Sequence, residues 1–148
     1  MFNLKGTEST LKYYEGLKSI RNVYDDLLKD LKPHEYCYVV SNIEQWYKVQ
    51  GDEFIEKHVD DRSHLRIQTK LLFVESPVAH KRKLTERNFN EEVKFLPKDS
   101  NFNVDLVITP YKVVMFQLYE PLVAIVIENK SIIALHKEMF EIIWKSVS

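Results

Sequence analysis

The sequence predicts an α/β protein, a three-layer sandwich built on a mixed, partly parallel sheet. Three observations predict it. Short runs rich in β-branched and aromatic residues alternate with segments whose apolar positions recur at spacings of three and four. Two later apolar runs are joined by a turn sequence, which makes part of the sheet antiparallel. A long amphipathic segment then closes the chain.

Taken in order, Thr10 to Tyr14 reads as a short strand ending at Glu15-Gly16. Leu17, Ile20, Tyr24, Leu27, Leu28 and Leu31 then mark a helix that stops before Pro33. Tyr36 to Val40 reads as a buried strand, and Ser41-Asn42 would cap the helix that carries Ile43, Trp46, Tyr47, Phe54, Ile55 and Val59. Gly51 weakens the middle of that helix, so two shorter pieces are allowed. Leu65 to Val74 reads as the next strand. Ser76-Pro77 starts a short polar helix ending near Asn88, because proline is tolerated at the first helical position. Val93 to Leu96 is a third short strand closed by Pro97, and Val104 to Ile108 and Val113 to Tyr119 flank the turn Thr109-Pro110-Tyr111-Lys112. Leu122 to Ile127 is nearly all apolar and is expected centrally in the sheet. Ile133, Leu135, Met139, Phe140, Ile143, Trp144 and Val147 define the final helix.

The 148 residues suit one domain, read here as 1–148 without an internal linker or repeat. With 21 basic and 22 acidic side chains the net charge is -1, so no global pull toward nucleic acid or an anionic membrane is expected. No apolar run approaches the ~18–20 residues that span a bilayer, and Met1 to Thr10 lacks the pattern of an export signal. The one cysteine, Cys37, lies in an apolar run and reads as a buried, inert thiol. A cytoplasmic location is expected.

Generic catalytic motifs are missing. The three glycines, at 6, 16 and 51, make no phosphate-binding loop, and no nucleophile elbow occurs. His58-Val59-Asp60-Asp61-Arg62-Ser63-His64 is the densest polar group, but its histidine spacing matches no helical metal pair. It reads as a solvated helix end, with no metal or cofactor expected. His80-Lys81-Arg82-Lys83 with Arg87 lacks interleaved aromatic residues and has Glu86, Glu91 and Glu92 beside it, so it reads as a solvated face. The carboxylate pairs Asp25-Asp26, Asp60-Asp61 and Glu91-Glu92 are expected on the surface.

Tyr13-Tyr14-Glu15-Gly16-Leu17-Lys18-Ser19-Ile20, with Val23-Tyr24-Asp25-Asp26-Leu27-Leu28 after it, resembles the start of the C-terminal domain of TrmB-like transcriptional regulators. Ile125-Val126-Ile127-Glu128-Asn129 and Phe140-Glu141-Ile142-Ile143-Trp144 resemble that domain's end, and Arg66-Ile67 and Val93-Lys94-Phe95-Leu96-Pro97 fall between them in the expected order. The resemblance implies a phospholipase D-like fold without phospholipase activity, in a regulatory domain that senses an effector such as a sugar. The family's N-terminal winged helix and dimerising linker are expected to be absent from this chain. The expectation is therefore an excised or stand-alone effector domain with no direct nucleic-acid contact of its own. Phospholipase D chemistry uses a His-x-Lys pattern; the residues two places after the five histidines are Tyr36, Asp60, Arg66, Arg82 and Glu138. No enzyme activity is expected.

Open α/β sheets bind ligands at the carboxyl ends of their strands. A polar ligand would there meet Ser41, Asn42, Glu75, Ser76, Glu128 and Asn129, of which Ser41, Ser76 and Asn129 are also good helix caps. The alternative is a protein–protein or homodimer module using either the Leu17/Ile20/Tyr24/Leu27/Leu31 face or the Ile143/Trp144 helix.

Overall fold

A computed structural model describes residues 9–148. Its elements are β1 (Thr10–Glu15), α1 (Leu17–Asp30), β2 (Tyr36–Ser41), α2 (Ile43–Gln50), α3 (Asp52–Ser63), β3 (Gln68–Val74), α4 (Pro77–Leu84), β4 (Glu91–Leu96), β5 (Val104–Ile108), β6 (Val113–Gln117), β7 (Val123–Glu128) and α5 (Lys130–Ser146). Among the described residues they form one seven-stranded sheet in the order β1-β7-β6-β5-β2-β3-β4. The parallel part is β2, β3 and β4, linked by helical crossovers; every other neighbouring pair is antiparallel. No helix among the described residues is long and apolar enough to cross a membrane.

The helix boundaries follow local chemistry. Gly51 breaks the second amphipathic stretch into α2 and α3 because its φ of 82° is a left-handed conformation that favours glycine. The Asn42, Ser76 and Asn129 side chains accept hydrogen bonds from the amides of Gln45, Ala79 and Ile132, capping α2, α4 and α5. At the far end of α5, Lys94 Nζ donates to the Trp144 carbonyl at 2.7 Å, pinning the helix C-terminus to β4.

The two sheet faces are covered unequally. α1, α2, α3 and α4 bury one face around Ile20, Tyr24, Leu27, Trp46, Ile55 and Phe116. Tyr24 stacks on Phe116 with centroids 4.1 Å apart and 2° between the planes, joining α1 to β6. On the other face, among the described residues, α5 lies alone, buried through Ile133, Phe140 and Trp144. The three-layer expectation is met, with layers of very different breadth.

Two sequence readings change. β7 is not central; it lies between β6 and the edge strand β1, and its apolar character comes from α1 and α5 covering its two faces. The first strand does not open the parallel portion. It crosses to the far edge and pairs antiparallel with β7, from Thr10 opposite Glu128 to Glu15 opposite Val123.

Replacing Phe116 with alanine removes the ring that α1 stacks on. Urea denaturation of Phe116→Ala is expected to show a loss of about 3–5 kcal/mol.

Candidate functional site

The polar interior lies between the sheet and the four-helix layer. Arg62 on α3 and Arg82 on α4 are 4% and 7% exposed, and both reach Glu91 at the start of β4, itself 5% exposed. Arg62 Nη2 donates to Glu91 Oε2 at 2.8 Å, and Arg82 Nη2 donates to Glu91 Oε1. One carboxylate thus serves two guanidinium groups. These contacts correct two expectations. The basic run on α4 is not uniformly solvated, because Arg82 points inward behind Ala79 while Lys81 and Lys83 point out. Glu91 is not a surface carboxylate, although its neighbour Glu92 is.

A second polar group lies across the same interior. Ser41 Oγ donates to Asp105 Oδ2 at 2.9 Å and the Asn42 amide donates to Oδ1 at 3.1 Å, which ties the end of β2 to the start of β5. Burial pushes the Asp105 carboxyl up to about 8, against the opposing effect of the Ser41 and Asn42 hydrogen bonds. Burial, helped by the charges of Arg62, Arg82 and Lys57, holds His58 well below the ordinary histidine value, so its ring is neutral. Burial likewise raises the Cys37 thiol, in keeping with the inert role read for it.

These groups surround a narrow internal cavity of about 30 Å³ lined by Tyr24, Trp46, His58, Arg62, Arg82 and Asp105 together with apolar side chains of α1, β2, β3 and β5. About 10–15 Å³ suffices for one water, so the space takes one or two water-sized occupants. A sugar does not fit it. The His58–His64 segment is correspondingly split. His58 faces the cavity, whereas His64 is exposed and bonds the Asp60 carbonyl through Nδ1 at 2.7 Å. The expected solvated helix end is right for Asp60, Asp61 and His64 and wrong for His58 and Arg62.

The six residues suggested for a polar ligand are not one constellation. Strands β2 and β3 are parallel, so Ser41-Asn42 and Glu75-Ser76 leave the sheet at the same end. β7 runs opposite to β2, which puts Glu128 and Asn129 at the other end. Ser41 is committed to Asp105, Asn42 and Ser76 to their caps, and Glu75 pairs with His80 at 2.9 Å. Asn129 caps α5 and donates to Ser9 Oγ at 2.8 Å. Glu128 borders an open surface groove with Asp30, Lys32, Tyr111 and Lys112. Among the described residues, no group of three or more His, Cys, Asp or Glu side chains could hold a metal ion.

Sequence reasoning missed Arg62, Arg82, Glu91 and Asp105, although traces were present. His58 and Arg62 are one turn apart and share the helix face of Ile55 and Val59. Asp105 is the lone charge within an apolar strand.

With this geometry in place, the chain can be set beside known structures. TrmBL2, an archaeal chromatin protein whose structure shows a novel mode of DNA binding, superposes with a TM-score of 0.63 at 18% identity, over 97% of this chain and 55% of TrmBL2. The phospholipase D family member Nuc from Salmonella typhimurium superposes at 0.64 with 13% identity, over 95% and 97% of the two chains. This chain has the phospholipase D-like fold. NucT from Helicobacter pylori shares it at a TM-score of 0.64 and 13% identity, over 95% of this chain and 98% of NucT. The chain spans about half the length of TrmBL2 and nearly the whole of the NucT and Nuc structures. No protein-family model and no curated protein matches its sequence.

Two measurements probe this interior. Glu91→Gln leaves two buried guanidinium groups without a counter-charge, and its unfolding free energy is expected to drop by about 3–5 kcal/mol. Asp105 holds its proton more tightly folded than unfolded, so its contribution is full below the ordinary value of 3.8 and is lost as pH rises through about 8. Stability followed by urea melts should therefore fall across that window in the parent chain, and Asp105→Asn should flatten the fall by an amount on the order of a few kcal/mol.

Proposed function

We propose that this chain is a non-catalytic regulatory domain of the TrmB-like kind, acting by contact with a second copy of itself through the face that carries α5. The observation that carries the contact is the apolar outer surface of that helix. Leu135, Met139 and Ile142 are 56%, 48% and 60% exposed. At 3.6 residues per turn, Ile132, Met139 and Ile143 share one flank with Leu135 and Ile142 beside them, while Lys137 and Glu141 hold the other. Lys137 Nζ sits 4.9 Å from the centre of the Tyr36 ring, so the charged flank faces the start of β2. The apolar flank therefore faces the opposite half of the sheet. There the cross-strand row Tyr13, Ile125, Met115, Leu106 and Val40 is only partly covered or exposed.

The α1 alternative loses support, because Ile20, Tyr24, Leu27 and Leu31 are spent on the chain's own core. A patch of exposed apolar side chains on a folded domain is a contact surface by default, and closed two-fold association of like chains is the commonest way to cover one. The non-catalytic half of the reading is supported by β5 and β6, which contain no histidine and so no His-x-Lys nucleophile. Nucleic-acid contact is not assigned to this chain, whose net charge is -1.

Effector sensing is the second reading. It is favoured by Ser41-Asn42 and Glu75-Ser76 emerging at one end of the sheet.

Sedimentation equilibrium tests the proposal directly. A reversible dimer is expected, with Met139→Glu and Ile142→Glu each weakening it at least tenfold while leaving the melting temperature of the monomer unchanged. A chain that stays monomeric at the highest attainable concentration refutes the contact. Phosphodiesterase turnover that survives repurification refutes the non-catalytic reading. A saturable rise in melting temperature with a sugar, and no dimer, would favour the effector reading instead.

A further inference from the structure

The buried cavity holds more hydrogen-bond donors than acceptors. Trp46 Nε1, Arg62 Nε, and Arg82 Nε and Nη1 are all buried and make no hydrogen bond of good geometry among the described residues, with the Tyr24 hydroxyl the nearest acceptor to the indole; His58 Nδ1 is likewise unpartnered. The residues that carry these atoms all line the same internal cavity. The carboxylate oxygens nearby are already engaged. Glu91 gives one oxygen to each arginine, and Asp105 accepts from Ser41 and Asn42.

Leaving a buried donor unmade is costly, and more so for a charged group. Three side chains that converge with unmet donors, Trp46, Arg62 and Arg82, therefore define a site for something electron-rich. The charge count agrees. Arg62 and Arg82 bring two positive charges and Glu91 one negative, and the ring of His58 is neutral. Asp105, with its proton retained to about pH 8, adds none at neutrality. The balance is 2 − 1, one uncompensated positive charge in a low-dielectric interior.

We infer that this cavity binds a small monovalent anion of halide size, held by the Trp46 indole N–H and the free guanidinium N–H groups of Arg62 and Arg82. Size selects against larger anions. At about 30 Å³ the space admits one ion or a pair of waters, and it excludes a phosphoryl group, a nucleotide or a sugar acid. Water is the poorer occupant, because it brings no charge to offset the uncompensated guanidinium. The rest of the lining is Tyr24, Ser41, His58 and Asp105 together with apolar side chains such as Leu27, Val39, Leu71 and Phe73. An anion only accepts, and it supplies the missing charge. The site ties α2, α3 and α4 to one another, since Trp46, Arg62 and Arg82 each come from a different helix.

The probe is bromide. Crystals of the full chain grown or soaked in sodium bromide should show an anomalous peak inside the cavity, among Trp46, Arg62 and Arg82. In solution, chloride or bromide should raise the melting temperature saturably over sodium gluconate at equal ionic strength, since gluconate is too large to enter. Trp46→Phe keeps an aromatic side chain, though a smaller one, and deletes the indole N–H donor; it should raise the half-saturating halide concentration roughly tenfold. Density for water alone in the cavity, bromide peaks confined to the surface, or equal melting temperatures in chloride and gluconate would each overturn the inference. If Trp46→Phe does not fold, the diffraction measurement on the parent chain decides.

Discussion

Arg62 and Arg82 reach the core from two different helices because Glu91, on the first residue of an edge strand, offers each of them one oxygen. This three-residue pairing fixes α3, α4 and β4 relative to one another. Its energetic meaning lies in what happens when it is broken. A buried ion pair is weakly stabilising as a whole, but a buried charge stripped of its partner is costly. The geometry is therefore over-determined, since neither helix can swing outward without stranding the carboxylate between them. The Ser41–Asp105 bond does similar work closer to the sheet centre, locking the end of β2 to β5 where the strand direction reverses.

The unequal covering of the sheet follows from the topology. Parallel neighbours need crossover connections, and those between β2, β3 and β4 carry α2, α3 and α4 to one face, where α1 joins them. The antiparallel strands β5, β6 and β7 need only short turns and bring no helix with them. Among the described residues that leaves α5 as the sole cover for the opposite face, and its apolar stripe is wider than the strip it buries. A helix that serves only its own sheet would place charge at positions such as Leu135 and Ile142.

Most of the architecture was legible from periodicity and punctuation. Gly51 announced the break between α2 and α3, Ser76-Pro77 the start of α4, and Thr109-Pro110 the β5–β6 turn, because each signal is a local backbone requirement. What was not legible depended on distance in the chain. Nothing near β1 says that its partner is β7, since both edges of a sheet accept a strand of that pattern. The polar interior was hidden for a related reason. Arg82 and Glu91 sit in charge-rich segments that look solvated, and only the fold places them against Arg62. Asp105 was the exception, an isolated acid in an apolar strand that the alternation itself marks. The candidate ligand residues were found correctly as strand ends, but strand direction, which separates Glu128 and Asn129 from the rest, is a tertiary property.

The pairing of β1 with β7 joins the first described strand to the last across more than a hundred residues of intervening chain. Contacts of such long sequence separation carry a loop-closure cost that local helices do not. On a ribosome, β2, β3 and β4 with their helices can assemble early, while β7 emerges late and waits for a strand made long before. Until they meet, each presents an open sheet edge, so this domain is most exposed to mispairing in the last moments of its own synthesis.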